Sequence, residues 1–173
     1  MVPLLGIFAS SQVIGVTAAG FFLASTVGIS PFNLIPLAEH GNLPPSTLAP
    51  LYTHMFLTRG RRAFLAGSLG AAAAFLTAYF NRPADISLEH SRALLGAAGL
   101  LIAAVPHTII WMVPVYKQLG NGAYKGTEEQ TKERWQTLMS RFYRGNSIRV
   151  AIFLAAYSLG IYGLTSSKVT HLV

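Results

Sequence analysis

Residues 93–116 read ALLGAAGLLIAAVPHTIIWMVPVY and contain no aspartate, glutamate, lysine or arginine. A helix that crosses a bilayer needs about 17 to 25 mainly apolar residues, and this stretch is long enough. Three further stretches also lack charged side chains, at residues 1–38, 63–81 and 150–167. The pattern predicts an all-α polytopic membrane protein, an antiparallel four-helix transmembrane bundle formed by a single domain. The predicted spans are residues 3–29, 63–80, 93–116 and 149–167.

The composition excludes several other classes of protein. Of the 173 residues, 11% are charged, against about 25% in soluble domains, so a water-soluble globule is excluded. The chain has no cysteine, which excludes disulfides, zinc–thiolate sites and thiol nucleophiles. Lysine and arginine number 13 against 6 acidic residues, but they lie in loops beside the spans, where such charge sets topology. We therefore expect a lipid bilayer as partner and no nucleic acid.

The basic residues are divided unevenly between the two sides of the membrane. The loops at residues 30–62 and 117–149 together carry ten lysine and arginine residues, and the opposite side carries three. By the positive-inside rule, both large loops face the cytoplasm and both termini face away from it. We expect a multi-pass protein, located in the endoplasmic reticulum or another endomembrane if the cell is eukaryotic.

Two helices are predicted to begin outside the membrane on this basic side. One is capped by Ser46 or Thr47 and continues through residue 62 into the second span. The other opens with a capping box formed by Thr127 and Gln130 and continues, with a bend at Gly145, into the fourth span. Five residues of this helix, mostly apolar, share one face at helical spacing: Thr131, Trp135, Leu138, Met139 and Phe142.

His107 is the most informative residue of the third span. An ionisable side chain near the middle of a bilayer is costly unless it faces the bundle interior or a wet cavity, and Pro106 beside it permits a local kink. Trp111 lies four residues further on and shares the face of His107, so an imidazole and an indole are available to stack on a flat aromatic ligand. His107 is also a candidate base. The alternative is a histidine that only hydrogen-bonds to a neighbouring helix.

A second group of candidates lies where the fourth span opens on the basic side. Asn146 and Arg149 are three residues apart and share a face, with Phe142 one turn earlier. Arg149 is a candidate to hold a phenolate or a developing oxyanion, with Asn146 as a neutral donor. The alternative for Arg149 is an anchor that extends its charged end to water. Tyr52 and His54, which precede the second span, are further candidates. The alternative for His54 is an ordinary exposed histidine in a loop.

Metal-binding and nucleotide-binding patterns are missing from the sequence. His54 and His107 are the two histidines expected near a shared cavity, and two histidines without a carboxylate make a poor iron or copper site. No Gly-x-Gly-x-x-Gly, Walker, Gly-x-Ser-x-Gly or His-Glu-x-x-His string occurs. We therefore predict no metal and no apparent cofactor.

Short motifs in the chain resemble those of a known family. Residues 106–114, PHTIIWMVP, resemble a signature of the small four-span family that contains the fungal anthrone oxygenases. Residues 146–149, NSIR, resemble the Asn-x-x-Arg element that opens its last span, and residues 52–59 resemble its tyrosine- and histidine-bearing stretch. The size, the number of spans and the motif order agree, so the resemblance covers nearly the whole chain. The chain departs from the pattern at residues 115–116, Val-Tyr in place of Thr-Asn, and at Phe142 in place of tryptophan.

The resemblance implies a membrane-embedded monooxygenase of secondary metabolism. The residues alone leave open whether this chain is an enzyme. The substrate would be an aromatic polyketide-type anthrone, which is a hydrophobic small molecule. O₂ would be the co-substrate, and the anthrone would be oxidised to an anthraquinone through an enolate. For this reaction we expect His107 as the base, Arg149 with Asn146 at the enolate oxygen, and His54 or Tyr52 as a proton relay. We expect Trp111, Tyr52, Tyr116 and Phe142 to bind the substrate, with Trp111 as the stacking wall.

Two other classes of function stay open. One is a structural or accessory subunit of a larger membrane complex, in which Gly67 or Gly96 serves a helix interface; its sign is co-purification with stoichiometric partners. The other is a carrier that binds a hydrophobic ligand without consuming O₂. A homo-oligomer is compatible with each of these functions.

Overall fold

A computed structural model describes residues 2–28, 44–54, 56–57, 61–84, 86–121 and 127–166 of the chain. Every regular element in these ranges is a helix, which confirms the predicted all-α class. In chain order the elements are α1 (Val2–Gly28), α2 (Pro45–His54), α3 (Arg61–Phe80), α4 (Leu88–His107), a π-helical segment (Thr108–Met112), α5 (Val113–Gly120) and α6 (Glu128–Ser166).

The helical stretches that can cross a membrane agree in number with the sequence prediction. Within the described ranges there are four, at Leu5–Val27, Arg62–Phe80, Leu88–Gly120 and Glu129–Thr165. The chain is therefore a multi-pass membrane protein. The third and fourth stretches are longer than the predicted spans at 93–116 and 149–167. The single-domain organisation and the side on which the termini lie stay predictions.

The predicted extension of the fourth span is confirmed as part of one 39-residue helix, α6. Its capping box is formed in both directions. The Thr127 backbone N–H donates to Gln130 Oε1 at 3.3 Å, and the Gln130 backbone N–H donates to Thr127 Oγ1 at 3.4 Å. The apolar positions predicted to share one face are buried at Trp135, Leu138, Met139 and Phe142. Before the second span the structure describes one helix, α2, and the span itself lies in α3. Residues 55 and 58–60 between the two helices lie outside the described ranges.

The chain divides into two compact units. The first unit comprises Met1–Ala24, Ala66–Val105 and Ala151–Val173. Its core contains Phe75, which is fully buried. A Cβ atom added at Gly15 or Gly160 would lie 2.8 or 2.7 Å from the Phe75 ring, so these two glycines allow α1 and α6 to approach α3 closely.

Buried polar side chains also link the helices of the first unit. Gln12 Nε2 donates to the Gly163 carbonyl at 3.2 Å, which joins α1 to α6. Ser68 Oγ donates to the Leu101 carbonyl at 2.8 Å, which joins α3 to α4. Hydrogen bonds of this kind are a usual means of helix association in lipid.

The second unit comprises Ser25–Leu65 and Pro106–Val150. It contains α2, the π-helical segment, α5 and the first part of α6. Its apolar core is formed by Leu48, Met112, Val115, Tyr116, Leu119, Trp135, Leu138, Met139 and Phe142. All eight candidate site residues belong to this unit, which is therefore where the site is sought.

Candidate functional site

A wide helical turn carries the tryptophan that stacks on His107. The Val113 backbone N–H donates to the carbonyl of Thr108, five residues earlier, as in a π-helix. Pro114 explains the wider turn, because a proline ring clashes with the carbonyl four residues earlier in a regular α-helix. The distortion that the sequence suggested at Pro106 is therefore found at residues 108–112. Single π turns in α-helices are frequent at functional sites.

The His107 imidazole is half-buried, and its hydrogen bond defines its tautomer. Its Nε2 lies 3.0 Å from the Gly145 carbonyl oxygen of α6. A carbonyl oxygen only accepts, so Nε2 carries the hydrogen and donates it. In the neutral ring, Nδ1 then holds the lone pair that can take up a proton. The Trp111 ring stacks on the imidazole with centroids 6.4 Å apart and planes inclined by 13°, as their shared face predicted.

Gly145 allows this part of α6 to approach the π-helical segment. A Cβ atom added there would collide with Met112 Sδ and would lie 2.8 Å from Trp111 Cδ1. Met112 is fully buried, so its side chain has little room to withdraw. Gly145 was predicted as a bend, and the structure assigns it a further role, since the missing side chain brings the Gly145 carbonyl within reach of His107.

Arg149 places a cation in the interior of the second unit. The side chain is 9% exposed, and its guanidinium lies 4.5 Å from the centroid of the Phe64 ring. The Tyr116 hydroxyl lies close enough to the guanidinium to interact with it. An anchor would keep its charged end in water, so this burial favours the interpretation of Arg149 as an anion-binding residue.

Two buried polar atoms of this pair lack hydrogen-bond partners. Tyr116 is 3% exposed, and its hydroxyl oxygen has no partner within the described ranges. The same holds for Nε of Arg149. Buried donors are nearly always paired in folded proteins, and an unpaired one requires an explanation. The sequence assigned Tyr116 to substrate binding, but gave no sign that it meets a residue 33 positions further along the chain.

Asn146 is fully buried and fixed to the end of α1. Its Nδ2 donates to the Thr26 carbonyl at 3.3 Å. An asparagine amide carries two hydrogens, so the predicted role of Asn146 at an oxyanion depends on the second one and stays a prediction.

Aromatic rings surround the Tyr116 side chain. The Phe56 ring is parallel to it, with centroids 4.6 Å apart and planes inclined by 10°. Phe142 packs against both rings, at 5.7 Å from Phe56 and 6.0 Å from Tyr116. The structure thus brings the predicted residues Tyr116 and Phe142 together and adds Phe56. Phe56 lies within the stretch 52–59, but its apolar side chain gave no chemical reason to single it out.

The two candidates of α2 are less closely defined. His54 is exposed at the C-terminal end of this helix, and the side chain of Tyr52 lies outside the described part of the structure. In the described ranges, no group of three or more histidine and acidic residues lies close enough to hold a metal ion. The roles of His54 and Tyr52 and the prediction of no cofactor are unchanged by these observations.

The helices and the site together define a class of protein, namely a multi-pass all-α membrane protein with a histidine–tryptophan pair and a buried arginine. Comparison with known families gives a match to the family described as anthrone oxygenase, over residues 53–159. The match covers more than half of the chain, which therefore belongs to this family. It includes every candidate site residue except Tyr52. The comparisons with curated proteins and with solved structures gave no match.

Proposed function

We propose that this protein is a membrane-embedded monooxygenase that oxidises an anthrone to an anthraquinone with O₂. Membership of the anthrone oxygenase family supports this reaction class. The observation that carries the proposal is the pairing of a histidine with a defined free nitrogen and a parallel tryptophan ring. A buried arginine in the same compact unit supplies a positive charge.

The first step is the removal of a proton from the methylene of the substrate. This carbon lies between two aryl rings and opposite the ketone, so its anion is delocalised onto the ketone oxygen as an enolate. Nδ1 of His107 takes the proton, while Nε2 remains bonded to the Gly145 carbonyl and holds the ring in place. A positioned general base typically contributes about 10²–10⁴-fold to a rate. His54, or Tyr52, passes the proton on to water.

The second requirement is stabilisation of the enolate. The charge develops on the ketone oxygen, where the Arg149 guanidinium donates to it. Donors that are fixed before the reaction stabilise such charge strongly in an environment without water. The flat ring system stacks on Trp111, which is 44% exposed and so accessible to a hydrophobic molecule within the bilayer.

The third step is the reaction of the enolate carbon with O₂. A carbon–oxygen bond forms, and the hydroperoxide anion takes up a proton. Loss of water then breaks the O–O bond and gives the second carbonyl. One oxygen atom of O₂ enters the quinone and the other leaves as water. The two electrons that reduce the second oxygen atom come from the substrate carbon, so we propose no metal, flavin or external reductant.

The proposal is tested by O₂ uptake of the purified protein in detergent after addition of an anthrone. Empty micelles give the spontaneous rate. The expected result is uptake above this rate that falls by about 10²–10⁴-fold in His107→Ala. The matched control is His90→Ala, because His90 belongs to the first unit and stacks on Tyr162.

Each outcome bears on a different part of the proposal. Uptake equal to that of empty micelles contradicts the oxygenase function and favours an accessory subunit or a carrier. Uptake that His107→Ala leaves unchanged removes His107 from the mechanism. Metal analysis of the same sample tests the last step, because one metal ion per chain contradicts direct reaction of the enolate with O₂.

A further inference from the structure

The second unit contains two buried donor atoms for which the described residues provide no acceptor of good geometry. The Tyr116 hydroxyl and the Arg149 guanidinium interact with each other, yet neither the hydroxyl oxygen nor Nε of Arg149 has a hydrogen-bond partner of good geometry among the described residues. The two side chains are 3% and 9% exposed. A phenol hydroxyl and a guanidinium Nε each carry a hydrogen to donate. The shared partner that suits both is an acceptor with negative charge.

The surroundings of the pair indicate what else the acceptor must carry. The Phe64 ring lies against the guanidinium, and the Phe56 ring is parallel to Tyr116. Phe142 also packs against Tyr116. These rings offer no polar group to a ligand, but they pack well against another flat ring. The charge and the walls together select an aromatic ligand with an ionised oxygen.

We infer that the Tyr116 hydroxyl and the Arg149 guanidinium form a two-donor site for an aromatic oxyanion, such as an enolate, a phenolate or a carboxylate. The inference deepens the proposed function and rests on it for the identity of the natural ligand. It assigns to Tyr116 a hydrogen bond to the enolate oxygen, where the sequence suggested only a substrate-binding ring. Asn146, whose amide donates to the Thr26 carbonyl, then contributes less than Tyr116 to the binding of the enolate oxygen.

The test uses a fluorescent aromatic anion that has no methylene to oxidise. Anthracene-9-carboxylate is titrated into the purified full chain in detergent, and neutral anthracene-9-methanol is titrated in parallel. The measured quantity is the ratio of the two dissociation constants, with empty micelles as blank. The wild type is expected to prefer the carboxylate. Tyr116→Phe removes one oxygen atom and should weaken carboxylate binding roughly tenfold, the typical effect of a hydrogen bond to a charged group. Binding of the alcohol should be unchanged.

Two further variants keep the test decisive. Tyr157→Phe removes a hydroxyl from the first unit and should leave the ratio unchanged. Arg149→Gln removes the charge and should abolish the preference for the carboxylate, which tests the site even if Tyr116→Phe does not fold. A variant that only lowers stability shifts both dissociation constants together. Equal binding of the two probes by the wild type overturns the inference, as does an unchanged ratio in Tyr116→Phe.

The failure of this inference is distinguishable from the failure of the proposed function. If the wild type binds the carboxylate selectively but consumes no O₂ with an anthrone, the site exists and the oxygenase function is wrong. If the wild type oxidises the anthrone and Tyr116→Phe changes neither kcat nor the probe ratio, the oxygenase stands and the role of Tyr116 is wrong. The account with both parts right predicts that Tyr116→Phe lowers kcat and leaves KM for the neutral anthrone unchanged.

Discussion

Replacement of Gly145 by alanine tests the geometry on which the site depends. The added methyl group would collide with the buried Met112 side chain and lie 2.8 Å from Trp111 Cδ1. Carbon atoms in contact are normally about 3.5–4.0 Å apart. Either α6 must move away from the π-helical segment, or Trp111 must move from its position on His107. Both movements disturb the hydrogen bond between His107 and the Gly145 carbonyl.

The expected magnitude combines two opposing effects. Insertion of a methyl group into a packed interior typically costs about 1–3 kcal/mol. Alanine is better than glycine in a helix by about 1 kcal/mol, which offsets part of this cost. The net expectation is a protein that is less stable by about 0–2 kcal/mol. The effect on turnover is larger, because a displacement of about 1 Å in a catalytic group can lower a rate about 10²-fold.

The matched control is Gly70→Ala in α3. A Cβ atom added at Gly70 has no neighbour within 4 Å, so this variant gains the helix preference of alanine without the collision. In thermal unfolding in detergent, the free energy of unfolding of Gly145→Ala should be lower than that of Gly70→Ala by the full packing cost, about 1–3 kcal/mol. O₂ uptake should fall in Gly145→Ala alone. If Gly145→Ala is as stable and as active as Gly70→Ala, the close approach of α6 to the π-helical segment is refuted.

Substitutions at three further positions test individual contacts. Asn146→Ala removes the donor to the Thr26 carbonyl and should destabilise the protein by about 1–3 kcal/mol in thermal unfolding; an unchanged midpoint contradicts this contact. Gln12→Ala removes the bond to the Gly163 carbonyl and should cost about 0.6–2 kcal/mol. Its effect on O₂ uptake per folded protein should be nil because Gln12 belongs to the first unit, so a specific loss of turnover speaks against the location of the site. Thr127→Ala should cost about 0.5–2 kcal/mol through loss of the α6 cap, and Thr127→Ser should retain it; equal midpoints for the two variants show that the cap is not formed.

The membrane helices could be predicted because a span leaves a local record in the sequence. The absence of charge over residues 93–116 requires no knowledge of the rest of the fold. The capping box of Thr127 and Gln130 is equally local and marked the start of α6 correctly. The capping box and the helical spacing predicted that α6 continues into the fourth span. Hydropathy alone marked only residues 149–167 as the span, since charged residues interrupt the apolar pattern before them.

The site could be predicted only where its residues follow one another on the same helix. His107 and Trp111 are four positions apart, and helical geometry places them on one face. The partner of His107 is a backbone carbonyl 38 residues away, which no side-chain pattern indicates. The meeting of Tyr116 with Arg149 likewise depends on how α5 and α6 pack. Pro106 indicated a distortion, but the wide turn at residues 108–112 follows from the clash of the Pro114 ring with the carbonyl four residues earlier.

The most direct test of the account measures the rate at which an anthrone is converted to labelled quinone under ¹⁸O₂. Mass spectrometry follows the product formed by the protein, by His107→Ala and by empty micelles. The account predicts one ¹⁸O atom per quinone and one O₂ consumed per anthrone. It also predicts a rate well above that of empty micelles, of which His107→Ala loses about 10²–10⁴-fold. Labelled quinone formed no faster with the protein than with empty micelles would contradict it.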